Sequence, residues 1–265
     1  MSNDLEKKLC RLHNQSYSFL LGNATTALVL ALKALGLKNK KIAIPNSICV
    51  HVPIAIYLSG NVPFYLDISK LTLGLDLDEL KKIGLEIDAV IAVHAYGAVC
   101  DIVEISNYCK SENIPLIEDL AVAQGCSVND KPVGGFSDIA VVSFGNGKVI
   151  DVGHGGALLT SNHGLVKNIN NLIRNLDFQK EIELNEIRLF NKYHKDLYNI
   201  HFSNSSISSL SSDFKLRAIS SGKKMICRFD ERYRNKIEQS FDSLGNLTSN
   251  RKINFYKLEN LIKSE

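Results

Sequence analysis

The residue of this chain with the clearest capacity for chemistry is a lysine set in a glycine-rich turn. Val141-Val142-Ser143-Phe144-Gly145-Asn146-Gly147-Lys148 begins as a short apolar strand, Ile139 to Ser143, and breaks into that turn. Gly153-His154-Gly155-Gly156 then leads into a second apolar run, Ala157-Leu158-Leu159-Thr160. Glycine lifts the steric limits on the backbone and lets it approach a ligand closely. A lysine held there either aims charge at an anion or offers an amine for imine chemistry.

Spacing separates these uses. A nucleotide P-loop needs glycine five residues before its Gly-Lys pair and a hydroxyl residue after it. Val142 and Val149 hold those positions, so that use fails. A dinucleotide fingerprint fails as well, because Gly145 and Gly147 are followed by Ile150 where the third glycine belongs. Ser143 and Lys148 are five apart, which excludes the Ser-x-x-Lys of penicillin-binding enzymes. Imine chemistry fits better. A lysine joined to pyridoxal phosphate needs an acid to keep the pyridine nitrogen protonated, and Asp119 ends another apolar run, Ile114 to Asp119. The cofactor phosphate needs hydroxyls and backbone N–H groups at a helix start. Ala24-Thr25-Thr26 opens such a helix, and Ser143 adds a hydroxyl. Taken singly, each residue has a plainer use: a solvated lysine, a capping acid, or, for His94, a hydrogen-bonded core histidine.

The elements that must position these residues alternate. Asn23 precedes an apolar helix, Ala27 to Gly36; Lys41 to Pro45 reads as a strand; a helix from about Cys49 to Leu58 contains Pro53. Val62 to Asp67 is a strand, Asp76 caps a helix over Leu77 to Ile83, and Ala89 to His94 has the continuous apolar character of a strand buried on both faces. Asp101 to Lys110 is a helix. Strand and helix alternation from 23 to 160 predicts an α/β domain with a mostly parallel sheet, whose ligands bind beyond the carboxyl ends of the strands. His94, Asp119, Ser143 and the Lys148 turn all lie at such ends. Beyond Thr160 the patterns are helical over 163–200, a serine-rich run over 203–212 reads as a loop, and at least two helices follow, near 213–242 and 251–263.

Composition bounds the remaining possibilities. The 265 residues are 45% hydrophobic and 22% charged, which suits a globular chain. A net charge of +3 gives no basic field for nucleic acid or an anionic membrane. Six cysteines, none in a C-x-x-C pair, point to reduced thiols rather than a disulfide framework or a zinc ribbon, and no metal site is expected. With a charged N-terminus and no transmembrane-length apolar run, a soluble cytoplasmic protein is expected.

Several motifs together resemble the DegT/DnrJ/EryC1/StrS group of sugar aminotransferases, pyridoxal-phosphate enzymes of fold type I. They are Asn23-Ala24-Thr25-Thr26-Ala27-Leu28; Val93-His94-Ala95-Tyr96-Gly97; Ile117-Glu118-Asp119-Leu120-Ala121-Val122-Ala123-Gln124-Gly125; and Ser143-Phe144 with Lys148 and Gly153-His154-Gly155-Gly156-Ala157. The resemblance spans about residues 20–160. It implies an aspartate-aminotransferase-like large domain over 1–200, then a helical C-terminal extension over 201–265, with the usual small domain largely missing. It implies Lys148 as the catalytic lysine that bonds the cofactor, Asp119 as the pyridinium partner, and Ala24, Thr25 and Ser143 at the phosphate, with His94, Cys49 and Val122 also around the cofactor.

Departures accompany the match. Val122 stands where the family glutamine meets the cofactor near its phenolic oxygen, Cys49 where an aromatic usually stacks on the ring, and His154 replaces a glutamate. The implied activity is transfer of an amino group from an amino acid such as glutamate to a keto group of a nucleotide-linked sugar or similar carbonyl, with a role in surface polysaccharide synthesis. The substrate side of the pocket is expected to come from a second subunit of a homodimer. Two alternatives stay open. One is a pyridoxal-phosphate dehydratase, disfavoured because the family's dehydratases typically carry histidine where this chain has Lys148. The other is a catalytically silent member acting as a partner subunit.

Overall fold

The computed structural model of the chain describes residues 4–180 and 208–245, with isolated positions 185, 188, 189 and 192 between them. A seven-stranded sheet, ordered β1-β9-β8-β5-β4-β2-β3, forms its centre. The strands are β1 (Tyr17–Leu21), β2 (Lys41–Pro45), β3 (Val62–Leu66), β4 (Ala89–Val93), β5 (Leu116–Asp119), β8 (Ile139–Ser143) and β9 (Gly156–Thr160). Strands β3, β2, β4, β5 and β8 are mutually parallel, while β9 runs antiparallel between β8 and β1. A small hairpin, β6 (Ser127–Val128) with β7 (Lys131–Pro132), turns through Asn129 and Asp130, both at positive φ as a two-residue hairpin requires. The sequence reading did not anticipate it.

The continuous apolar runs predicted this sheet because each inner strand is covered on both faces. On one face, Ile91, Ile117, Ile139, Val141 and Leu158 pack against helices α2 (Ala24–Ala34), α3 (His51–Leu58) and α6 (His163–Arg174). On the other, Ala140, Val142 and Leu159 meet α1 (Asp4–Leu12), whose Leu5 and Leu9 lie one helical turn apart and fully buried. Val90, Ala92 and Leu116 on that face pack with α4 (Leu77–Ile83) and α5 (Ile102–Ser111). Pro53 does not break α3, because it occupies the first turn, where its missing N–H has no partner to lose. Asp76 caps α4 by accepting from Asp78 and Glu79 N–H.

Two further helices, α7 (Ser208–Met225) and α8 (Arg234–Asp242), lie on this body. Ala218 of α7 packs on Ile54 of α3, and Ile237 of α8 joins the α1 core with Phe229. Arg234 binds Glu6 through both terminal nitrogens at 2.8 and 3.0 Å. Between the two helices, the chain is tied to the end of β1: Gly22 N–H donates to Cys227 O (3.2 Å) and Asn23 Nδ2 to Met225 O (2.7 Å). The serine run is a correction to the loop expected over 203–212, because from Ser208 onward it is helix α7. Its first five residues, the 200/201 domain boundary, the helix expected near 251–263 and most of 181–200 lie outside the described residues.

Candidate active site

Strand register puts the chemistry on one face of the sheet. Asp119 ends β5 between Val93 of β4 and Val141 of β8, its register partners, so these three side chains share a face. Ser143 shares it too, two residues beyond Val141, and this is the face that α2 covers. A cavity of about 350 Å3 opens at these strand ends, with Asp119, Ala121 and Val93 joined by Lys148 from the turn. Val122, Cys49, Ile48, Ser47, Ala95 and Tyr96 complete its lining. A larger groove of about 620 Å3 runs between α1, the start of β1 and α6, at the opposite ends of the strands.

Asp119 is 6% exposed, and its Oδ1 accepts from Ala121 N–H at 2.9 Å. Burial pushes its carboxyl above the usual range, against the opposing pull of that N–H and of the Lys148 ammonium. It is a buried acid that gains from a cationic partner.

The lysine turn is held at its base. Phe144, fully buried, donates its N–H to Gly155 O (2.9 Å), and Val152 N–H returns to Phe144 O (3.1 Å). Gly147 sits at φ 75°, and its N–H donates to Asp151 Oδ2 at 2.8 Å. Lys148 N–H closes the turn onto Gly145 O at 3.3 Å.

The helix start lies beside this turn because Gly156 lacks a side chain. Gly156 pairs with Ser143 across β8 and β9, and a Cβ on it would stand 2.6 Å from Asn23 C and 2.7 Å from Ala24 N. Asn23 Oδ1 caps α2 by accepting from Thr26 N–H at 2.8 Å. The N–H groups of Ala24 and Thr25 have no acceptor within the helix, as the geometry of a helix N-terminus dictates. With the positive end of the helix dipole they are the kind of groups that can hold an anion. Ser143 Oγ accepts from Gly145 N–H (3.3 Å), and its carbonyl accepts from Gln124 Nε2 (2.9 Å).

The structure therefore brings Lys148, Asp119, Val122 and Cys49 into one cavity. Ala24, Thr25 and Ser143 sit beside it, linked through Gly156 rather than among the lining residues. His94 lies apart. It follows Val93 and so points to the opposite face, fully buried, with Nε2 3.4 Å from Glu118 Oε1 and Nδ1 accepting from Cys100 N–H at 3.3 Å. Glu118 also accepts from Gly134 N–H (2.7 Å), Phe136 N–H (3.0 Å) and Ser137 Oγ (2.8 Å). Burial pushes its carboxyl up, but the bonds from His94, Gly134 and Ser137 prevail and hold it below the usual range. Sequence reasoning missed two residues: Gln124, which ties the β5 and β8 ends together, and Tyr96 at the cavity mouth. Both stood inside quoted motifs, but only the fold shows where they point.

These residues fit pyridoxal phosphate: a buried acid for a ring nitrogen, an amine for an aldehyde, and a helix start with a serine for a phosphate.

A parallel-centred α/β sheet with a lysine and a buried acid at adjoining strand ends is the frame of fold type I aminotransferases. Residues 1–200 match the DegT/DnrJ/EryC1/StrS aminotransferase family, and the chain belongs to it. GDP-perosamine synthase of Vibrio cholerae is 36% identical over 143 residues, 53% of this chain and 39% of that protein. The dTDP-4-amino-4,6-dideoxy-D-glucose transaminase of Shigella dysenteriae is 32% identical over 188 residues, 71% of this chain and 51% of that protein. NtdA from Bacillus subtilis, solved with the bound cofactor PMP, superposes with a TM-score of 0.60 at 27% identity, covering 66% of this chain and 40% of that one. The chain thus spans about half the length, or less, of the relatives it matches. Among the described residues, no helix is long and apolar enough to cross a membrane, and no group of three or more His, Cys, Asp or Glu could hold a metal ion.

Proposed function

We propose that this chain is a pyridoxal-phosphate-dependent aminotransferase that moves an amino group from glutamate to a keto group on a nucleotide-linked sugar. The observation that carries the reading is the meeting of Lys148 and buried Asp119 in one cavity, with the α2 start, whose first N–H groups have no acceptor within the helix, joined to the lysine turn through Gly156. Pyridoxal phosphate, when bound, supplies an aldehyde that takes up amino groups and a ring that draws electrons from the carbon losing its proton.

The chain's own residues supply the rest. Asp119 holds the ring nitrogen's proton, and its burial makes that ion pair strong. Lys148 would supply the amine that holds the cofactor aldehyde, and the same amine is placed to hold or move a proton above the floor of the cavity. Ala24 and Thr25 N–H with Ser143 Oγ hold the phosphate. Val122 and Cys49 border the ring, and His94 acts from the far face through Glu118, which anchors the β5 end that carries Asp119. The sugar class is supported by the nucleotide sugars in the relatives' names, a GDP-sugar and a dTDP-sugar. A second copy of the chain walling the open side of the cavity belongs to the same proposal, as do a cytoplasmic setting and a role in surface polysaccharide synthesis.

Purified protein with pyridoxal phosphate turns yellow under this reading, and borohydride fixes the cofactor on Lys148 while Lys148→Ala stays colourless. Glutamate then bleaches the yellow form. A parent chain that never takes up cofactor defeats the proposal and leaves the silent-partner alternative. Uptake without bleaching by any amino acid favours the dehydratase alternative.

A further inference from the structure

Tyr96 has three properties that do not otherwise belong together. It lines the cavity that holds Lys148 and Asp119. It is 82% exposed, although it is aromatic. Its backbone is left-handed, at φ 54° and ψ 17°, a conformation rare for bulky residues and common at ligand sites. The turn around it is fixed: Ala98 N–H donates to Ala95 O at 2.8 Å, and Gly97 follows at φ 85°. A Cβ on Gly97 would lie 3.4 Å from Val122 O, so the turn rests on the segment just after Asp119. The fold holds an aromatic ring in solvent at the lip of the site and keeps it there against a backbone preference.

We propose that Tyr96 is the platform on which the pyranose ring of the carbonyl substrate stacks, an inference that rests on the aminotransferase reading. Depth assigns the partner. The buried acid and the lysine belong to the floor, where a cofactor ring lies. At about 350 Å3 the cavity is at the small end of ligand sites, so little of it remains once a cofactor-sized ring is seated. The reacting carbonyl must come to the lysine, and the sugar ring that bears it then fills the mouth beside Tyr96. The nucleobase, separated from the sugar by a diphosphate and a ribose, falls outside. An aromatic face suits the C–H-bearing face of a pyranose, and the neighbouring Cys49, Ile48 and Ala95 offer few polar groups to compete for it.

The test compares Tyr96→Phe, which keeps the ring, with Tyr96→Asn, which keeps a residue tolerant of the left-handed backbone but removes the ring. Cofactor-loaded protein is titrated calorimetrically with GDP-, dTDP- and UDP-hexoses, and bleaching by glutamate is followed separately. The expected result is a sugar affinity within about twofold of the parent for Tyr96→Phe and about tenfold weaker for Tyr96→Asn, the scale of one aromatic contact. Glutamate bleaching is followed in both as the check that the cofactor is loaded and reactive. Undiminished sugar binding by Tyr96→Asn overturns the proposal, as does a parent that reacts with glutamate yet binds none of the three sugars. A parent inert to glutamate counts against the aminotransferase reading, while the sugar titration alone decides the role of Tyr96.

Discussion

Gly156→Ala isolates how closely the helix start must approach the lysine turn. The added Cβ meets Asn23 C at 2.6 Å, Ala24 N at 2.7 Å and Val142 O at 2.9 Å, all backbone atoms that cannot swing aside. An unstrained carbon contact needs about 3.5 Å, so the start of α2 and the β8–β9 pair must separate by roughly 0.9 Å. Overpacking of this kind costs about 1–3 kcal/mol, which for a chain of this size lowers the melting temperature by about 2–12 °C. Gly156 needs no left-handed backbone, so the penalty is steric alone. The same movement draws the Ala24 and Thr25 N–H groups away from Ser143, and a shift near 1 Å weakens cofactor affinity by about tenfold to hundredfold. Thermal melts of the cofactor-free protein measure the first effect, and absorbance titration with pyridoxal phosphate the second. Gly245→Ala is the control, since a Cβ there meets nothing within 4 Å. If Gly156→Ala melted and bound cofactor as the parent does, the argument that this glycine seats the helix start would be refuted.

Two further outcomes follow from buried ionisable groups. Burial disfavours the Asp119 carboxylate, so Asp119→Asn, which keeps the acceptor for Ala121 N–H, raises the stability of cofactor-free protein at neutral pH. It also weakens cofactor binding by about tenfold to hundredfold, the worth of one charge-assisted bond, and a melt that does not rise alongside a binding curve that does not weaken would contradict both halves. His13 is fully buried, with its Nδ1–H donating to Val133 O at 2.9 Å, and burial lowers its pKa to about 4. The unfolded chain therefore binds the extra proton between its ordinary value near 6.5 and about 4. Stability is complete above pH 6.5 and falls by roughly 3 kcal/mol as pH drops to about 4. Urea midpoints of the parent and His13→Gln at neutral and acid pH should diverge in slope; parallel slopes would count against the assignment.

From α2 to β9, apart from the small hairpin, the order of strands and helices was legible because both faces of the inner strands are buried, which writes them as unbroken apolar runs; α1 and the edge strand β1 were not read. That same property hid the register. In Ala89-Val90-Ile91-Ala92-Val93-His94 no polar alternation marks which residues face α2, so the sequence placed His94 at a strand end without giving its side. Only pairing with β5 shows that Val93, not His94, stands beside Asp119. Lys148, Asp119 and the α2 start were legible because their chemistry is local to a turn, a strand end and a cap. Tyr96 was not, since its backbone angle and exposure are properties of the folded turn. The serine run misled because serine favours loops on propensity, a weak preference that tertiary packing overrides: later in α7, Ala218 is buried against α3.

The C-terminal segment changes what the glycines around the site mean. In the sequence, Gly153 to Gly156 stood as the lead from the lysine turn into the second apolar run. In the structure a Cβ on Gly155 would crowd Phe144 at 3.2 Å, Ile237 at 3.3 Å and Phe229 at 3.5 Å, so α8 and its lead-in roof the lysine turn. Gly22, just before α2, has no space for a Cβ because Cys227 and Arg228 press on it, and Gly155 N–H donates to Gly22 O at 2.9 Å. Thr26 is drawn into the same seam, its hydroxyl 3.0 Å from Met225 O and 3.2 Å from Cys227 N. The helix start and the lysine turn are thus joined to each other and capped by residues 225–237. Those residues lie beyond the 1–200 span shared with the family, so motif matching could not register them. The geometry of the candidate site is therefore a property of the family-like sheet and this chain's own C-terminal segment together.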